Sequence, residues 1–566
     1  FYSDATSILD YFYPVHTITI TSRDPHFVTP RIKAMLQKRN KLMRKGRVAA
    51  AEALTKRISC IIDANTRATF LSTRRGSKEM WDKVKQVTGK DRRAVNSTVD
   101  VTAEQLNQHF ATISTDLHYL PPLQKITVCR PCEHFTEFGV FHMLDRTKPT
   151  AVGLDLLPDW FLRLCAPSFA LPLSHLFNLS LEQSVVPSQW KVSSITPVPK
   201  VAHPQRCQDY RPISISPILS RLMEKDITRC YLYPILTKQN FQHLFSDQFA
   251  FRPTGSTTAA LIYLLQHVTR LLQIHEFVHI IALDFSKAFD TVRHHTLVSK
   301  MANFPLPDSL HNWIVNYLSD RQHQTKLNGI ASSLRPINAS IIQGSGLGPV
   351  EYVYNASDLH PLFSDNIFCK YADDTYLIVP SNNTNLIPNE LLNLTQWATV
   401  NNLTLNASKS CEMVVHSLNK KKHIVFPNTL PGIERVYSMR ILGVIVSNTL
   451  SFKMHVSNIV EKVNRSFYAL KTLRAHGLDG QALWDVTRAT LVAQLLYASP
   501  AWWGFLKADD KSKLQSLLTK AQRYGYLPYK FDTLDTLCES FDQTLFHSTM
   551  YNTKHVLHQL LPPPKE

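Results

Sequence analysis

Glycine is scarce in this chain, 16 of 566 residues, and no internal repeat is visible. That excludes flexible low-complexity linkers, which are rich in glycine and serine. Long apolar runs are missing as well. A bilayer span needs about 20 consecutive apolar residues, and the nearest approach, Leu491 to Leu506, is interrupted by Gln494, Pro500 and Gly504. Cysteine is sparse and odd in number, nine scattered residues. That argues against a disulfide scaffold and fits a reducing intracellular compartment. No signal-peptide pattern opens the chain, which starts at Phe1 and is therefore expected to be a fragment. Acidic residues are the last shortage: 44 Asp and Glu face 62 Lys and Arg, a net charge of +18 and a pI near 9.4. A surplus of that size points to a polyanion, with nucleic acid the first candidate.

What is present suffices for several domains, since 44% of the residues are apolar. Residues 31–60 hold ten Lys or Arg and one acidic residue, Glu52, with Ile32, Met35, Leu36, Leu42, Met43, Leu54 and Ile58 at helical spacing. So one-sided a charge suggests a phosphate-contacting arm rather than a solvated face. Trp81 and Val84 continue the helical pattern, and residues 91–146 look irregular. Cys129 and Cys132, with His134 and His142 nearby, make a zinc site conceivable, although no second CxxC follows.

The most informative motif is Tyr371-Ala372-Asp373-Asp374, set between Phe368-Cys369-Lys370 and Thr375-Tyr376-Leu377-Ile378-Val379. Aromatic and β-branched residues around an Asp pair predict two strands joined by a tight turn. Adjacent carboxylates repel, so water or a cation must compensate. Nucleotidyl transfer needs such a pair, because its two divalent ions sit about 4 Å apart and are bridged by Asp oxygens. Phe277 to Leu283 reads as a strand buried on both faces, and it ends on Asp284. That aspartate could cap a helix starting near Ser286. Taken with the Asp pair 89 residues later, it is expected to converge with Asp373 and Asp374 on adjacent strands.

Eight blocks in order carry a resemblance. They are Ser194-Ile195-Thr196-Pro197-Val198-Pro199-Lys200, Tyr210-Arg211-Pro212-Ile213-Ser214 and Phe249-Ala250-Phe251-Arg252-Pro253. Next come Ala282 to Asp290, Gln343-Gly344-Ser345-Gly346-Leu347-Gly348-Pro349 and Tyr371 to Asp374. Leu403-Thr404-Leu405-Asn406 with Lys409, and Ile441-Leu442-Gly443-Val444, close the series. The chain thus resembles the reverse transcriptases of non-LTR (LINE-type) retrotransposons, of the jockey and chicken-repeat kind. The resemblance implies an α+β, right-hand polymerase with fingers, a palm built on an antiparallel sheet, and a helical thumb. It divides the chain into a basic, mostly helical N-terminal segment and linker (1–146), fingers and palm (147–450), and thumb with a C-terminal extension (451–566). Palm strands are expected at 277–284, 337–342, 368–372, 375–379 and 403–405, and helices near 291–302 and 349–363.

The implied activity is RNA-directed DNA polymerisation, copying element RNA from a primer 3′ end with two Mg2+ ions, Mn2+ being an alternative. Asp284, Asp373 and Asp374 would be the metal ligands and Lys409 the proton donor to pyrophosphate. Lys200, Arg211, Phe285, Phe289, Gln343 and Gly344 would hold the dNTP, and Leu442 with Gly443 would form the primer grip. Partners would be an RNA template, a DNA primer or target and dNTPs, in nucleus and cytoplasm; the oligomeric state stays open. An endonuclease domain is expected to precede residue 1. Two departures from the family stand out: one arginine is missing after Phe251-Arg252-Pro253-Thr254-Gly255, and Glu351 replaces a commoner apolar residue. The alternatives are a catalytically decayed element fragment that only binds RNA, or a group II intron maturase-like polymerase. The three intact aspartates oppose the first, and the Tyr210 to Ser214 block and long thumb oppose the second.

Overall fold

A computed structural model describes residues 1–14, 29–45, 47–71, 78–87, 101–126, 134–417 and 425–562. The basic segment forms two helices, Pro30–Arg44 and Val48–Leu71, packed on each other. Thr29 caps the first, accepting a hydrogen bond from Ile32 N, and Pro30 occupies its first turn, where a missing N–H costs nothing. Residues 101–126 and 134–146 hold more regular structure than expected. Helices Ala103–Ile113 and Glu137–Asp145 lie there, the first opened by a capping box between Thr102 and Gln105. Leu106 and Phe110 of that helix pack on Ile195 and Tyr210.

Fourteen strands follow in the described residues. An antiparallel hairpin of β1 (Val192–Pro199) and β2 (Tyr210–Ile215) precedes β3 (Phe277–Leu283) and the two-residue β4 (Phe285–Ser286). Then come β5 (Arg321–Leu327), β6 (Ile330–Ala331) and β7 (Arg335–Ile337), and the hairpin β8 (Ile367–Tyr371) and β9 (Asp374–Pro380). The last are β10 (Thr404–Leu405), β11 (Cys411–His416), β12 (Glu434–Arg435), β13 (Ser438–Ile441) and β14 (Val444–Ser447). One five-stranded sheet has the order β12-β11-β3-β9-β8, antiparallel except at β11–β12. A second sheet pairs β2-β1-β5-β6, with β7 also on β5; its β1–β5 pairing is parallel.

β3 and β9 are buried on both faces, apolar but for His279 and the Asp374–Thr375 end, and serve two cores. Ile281, Leu283, Leu377 and Val379 face a helical core with Trp313, Tyr317 and Tyr352, while Val278, Ile280, Tyr376 and Ile378 face a second. The second core is built with helix Thr257–Ile274 and with the C-terminal helices Lys453–Ala475, Ala508–Arg523 and Leu534–Tyr551. This is the expected α+β layout, an antiparallel sheet between helical regions.

Three expectations need correction. The strand expected at 337–342 shrinks to β7. Beyond it the chain is pinned by single bonds, Ser340 N to Val292 O and Ile341 N to Phe289 O, rather than by a ladder. The helix expected to reach residue 363 stops at Asn355. Glu390 accepts hydrogen bonds from Leu362 N and Phe363 N, which gives that backbone partners outside a helix. Asp284 caps no helix, because the residues after it form β4 and a turn. Among the described residues no helix is long and apolar enough to cross a membrane, and seven cysteines are free thiols.

Candidate active site

The β3–β9 ladder pairs Leu283 with Thr375, so the next step along it sets Asp284 opposite Asp374. Tyr371 pairs with Asp374 across the β8–β9 turn, and Ala372 takes a left-handed φ of 57° there. A tight turn thus places Asp373 and Asp374 beside the end of β3. Asp284 is fixed by its neighbours: its N–H donates to Ser410 Oγ (3.2 Å), and its carbonyl accepts from Asn406 N (2.8 Å). Its Oδ2 is buried with no hydrogen-bond partner among the described residues, and Lys409 Nζ stands 4.0 Å away.

Electrostatics register the crowding. Burial raises the pKa of Asp373, and Asp284 adds to the rise while Arg211 opposes it. Asp374 is pushed up to about 6 by burial, then by Asp373 and Asp284. Carboxylates that resist ionisation together in one place are what a divalent cation relieves. The donor set is all hard oxygen, with an unmet lone pair on Asp284, and so fits magnesium or manganese.

Cations rim this cluster. Lys200 and Arg211 come from the β1–β2 hairpin, and Lys200 also donates from Nζ to Gln208 O at 2.9 Å. Burial lowers the pKa of Lys200; Asp290 opposes that, and Arg211, Lys287 and Lys409 reinforce it. These four cations therefore lie within electrostatic reach of one another near Asp290.

Gln343 donates from Nε2 to Asp290 Oδ1 at 2.7 Å. Asp290 is itself pushed up to about 6, first by burial, with Asp373 contributing. Gly344 has φ +117°, and a Cβ there would sit 2.3 Å from Ser214 O, so only glycine fits. Phe289 stacks on Tyr352 with centroids 4.6 Å apart and an interplanar angle of 24°. Both Asp373 and Asp374 act electrostatically on Tyr352, which puts this aromatic pair beside the carboxylates. Phe285 is buried and its ring packs on Trp397, so only its backbone faces the site.

Leu442 (φ 44°) and Gly443 (φ 90°) form the β13–β14 turn. Tyr497 closes over it, its hydroxyl 2.9 Å from Leu442 O and 3.2 Å from Thr257 Oγ1. Sequence reasoning missed Tyr497, Ser410, Gln248 and the roles of Lys287 and Asp290. The last two lay inside the quoted Ala282 to Asp290 block, and Gln248 immediately before another. Of the conceived zinc site, Cys129 and Cys132 lie outside the described residues, and His134 bonds Asp226 at 2.8 Å instead.

Three aspartates at one end of an antiparallel sheet, faced by cations and a glycine turn, are the arrangement that two-metal nucleotidyl transfer requires. Residues 198–446 match the family model described as reverse transcriptase (RNA-dependent DNA polymerase). It is 28% identical over 480 residues to the RNA-directed DNA polymerase from mobile element jockey of Drosophila melanogaster, covering 77% of this chain and 49% of that protein. It is 25% identical over 443 residues to a probable RNA-directed DNA polymerase from transposon BS of the same organism, covering 75% and 47%. The chain thus spans about half the length of the curated relatives it matches. The solved apo telomerase from Candida tropicalis aligns over 90% of each chain at 12% identity, with a TM-score of 0.37, too remote to inform the site.

Proposed function

We propose that this chain is the RNA-directed DNA polymerase of a non-LTR retrotransposon, extending a DNA primer on an RNA template with dNTPs and two Mg2+ ions. The observation that carries the reading is the convergence of Asp284, Asp373 and Asp374 at one sheet end, with unmet carboxylate capacity. Those three would hold the ions, which when bound lower the pKa of the primer hydroxyl and neutralise the departing pyrophosphate.

The remaining work belongs to the chain's own side chains. Arg211 and Lys200 grip triphosphate oxygens, the planar guanidinium meeting them in pairs. Lys409, exposed beside Asp284, donates a proton to the leaving pyrophosphate. Gln343, held by Asp290, and the bare backbone at Gly344 line the nascent base pair. Phe289, on its Tyr352 support, lies under the sugar and excludes a 2′-hydroxyl. The Leu442–Gly443 turn positions the primer end. Residues 147–450 make fingers and palm, residues 451–566 thumb and extension, and the basic helices within 1–146 contact template phosphates.

Primer extension on an RNA template with purified chain, comparing dNTPs with rNTPs, tests this reading. Template-dependent dNTP incorporation that vanishes in Asp284→Asn is expected. Absence of any incorporation by the wild-type chain with either Mg2+ or Mn2+ would overturn it.

A further inference from the structure

The turn that carries Asp373 and Asp374 has no bulky side chain of its own to hold it. Ala372, at its apex, adopts a left-handed φ of 57°, a conformation that residues with a Cβ rarely take. Something must supply the missing restraint. The described residues supply it from Gln248, 124 positions earlier in the chain. Its Oε1 accepts from Ala372 N at 3.0 Å and from Ala250 N at 3.0 Å, while Nε2 points at Ala372 O, 3.5 Å away. Both ends of one amide therefore close on the same residue of the turn.

Gln248 is itself immobilised. Its side chain is 2% exposed. Its own N–H donates to Phe245 O at 3.1 Å, and its carbonyl accepts from Arg252 Nη1 at 3.1 Å. The flanking residues bracket β8: Lys370 N donates to Asp247 O (2.7 Å) and Phe249 N to Lys370 O (2.9 Å). The fulcrum is thus bolted to the strand that leads into the turn. Arg252, from the block in which the family's second arginine is missing, is spent on carbonyls of Phe245, Gln248 and Leu236, and so braces the same loop.

We infer that Gln248 is a positioning residue: its amide clamps the backbone of Ala372 and so sets where Asp373 and Asp374 present their carboxylates to divalent cations. This rests on the proposed metal-binding role of those aspartates. An apolar residue of the same length leaves Ala372 N–H and Ala250 N–H without their acceptor, and the turn relaxes. Glutamate, held neutral by its burial, keeps the acceptor oxygen and presents its O–H to Ala372 O in place of the amide N–H.

The probe is Mn2+ titrated into the full chain and followed by electron paramagnetic resonance, a readout that needs no catalysis. Gln248→Met is expected to raise the half-saturating Mn2+ concentration by about tenfold or more, the usual effect of removing a residue that orients a metal ligand. Gln248→Glu is expected to stay within about threefold of wild type, since the acceptor bonds remain. Affinity for an RNA–DNA duplex should change little in either. If Gln248→Met does not fold, Gln248→Asn, one methylene too short to reach Ala372, takes its place with the same expectation. A folded Met or Asn variant that binds Mn2+ like wild type overturns the clamp alone. A wild-type chain that binds Mn2+ no better than Asp373→Asn overturns the metal site itself, and the polymerase reading with it.

Discussion

Glu351 offers the sharpest stability test, because it sits where the family favours an apolar side chain. It is 0% exposed, and neither carboxylate oxygen has a hydrogen-bond partner among the described residues. Burial, and after it the neighbouring Glu224, pushes its pKa from 4.5 up to about 8, with Arg321 opposing. An acid whose folded pKa is raised contributes full stability below its unfolded pKa and loses it as pH rises through the folded one. Each pH unit within that window costs about 1.4 kcal/mol, so by pH 7 the loss relative to acid is roughly 3 kcal/mol. Glu351→Gln keeps the volume and removes the titration. Urea unfolding followed by tryptophan fluorescence reads the relevant core, since Trp313 is buried in it. The Gln variant should gain on wild type steadily from pH 5 to pH 8, by an upper figure of ~3 kcal/mol at pH 7. Parallel pH profiles for the two proteins would refute the assignment of a neutral, buried Glu351.

Asp373→Asn should abolish primer extension while leaving RNA affinity nearly intact, because it removes a charge without changing shape; extension within about tenfold of wild type takes Asp373 out of the metal site. Deleting residues 31–60 should weaken RNA binding uniformly across sequences and flatten the slope of log affinity against log salt by about 0.7 per lost contact, as filter binding at several salt concentrations will show. An unchanged slope returns those helices to a solvated role. Phe289→Val should raise rNTP incorporation on a fixed primer–template with only a modest fall for dNTPs. Equal loss of both, with a lowered melting temperature, would reduce Phe289 to packing against Tyr352.

Asp284 and Asp374 were legible because each is the polar residue at the end of an apolar strand, and Asp373 because it shares the turn with Asp374, a local signal. The same alternation turns the ring of Phe285 away from the site. Successive side chains of an extended chain point to opposite faces, so a residue next to a site-facing Asp284 turns toward the core, where Trp397 waits. The apolar run around 337–342 read as a strand on composition, yet Asn338 uses its side chain to accept from Asp116 N, a tertiary contact no local pattern reports. The helix at 137–145 was missed because only Val140 and Leu144 of it are buried, and the one at 103–113 because polar residues interrupt its apolar face. Thr102 and Gln105 had marked the first in plain view. Gln248 and Tyr497 act across 124 and 55 residues respectively, and sequence separation of that order leaves no trace in spacing.

The alternation of β3 and β9 between two cores has a further consequence. Each strand is a party wall: its odd and even positions answer to different neighbours, Ile281 and Leu283 to one helical block, Val278 and Ile280 to the other. A one-residue slip in either strand would swap every tenant across the wall and carry Asp284 or Asp374 to the wrong side with them. The register of the carboxylates is therefore guarded twice over, by two independent volumes that must both be filled, and the chemistry stands at the one edge where both volumes end.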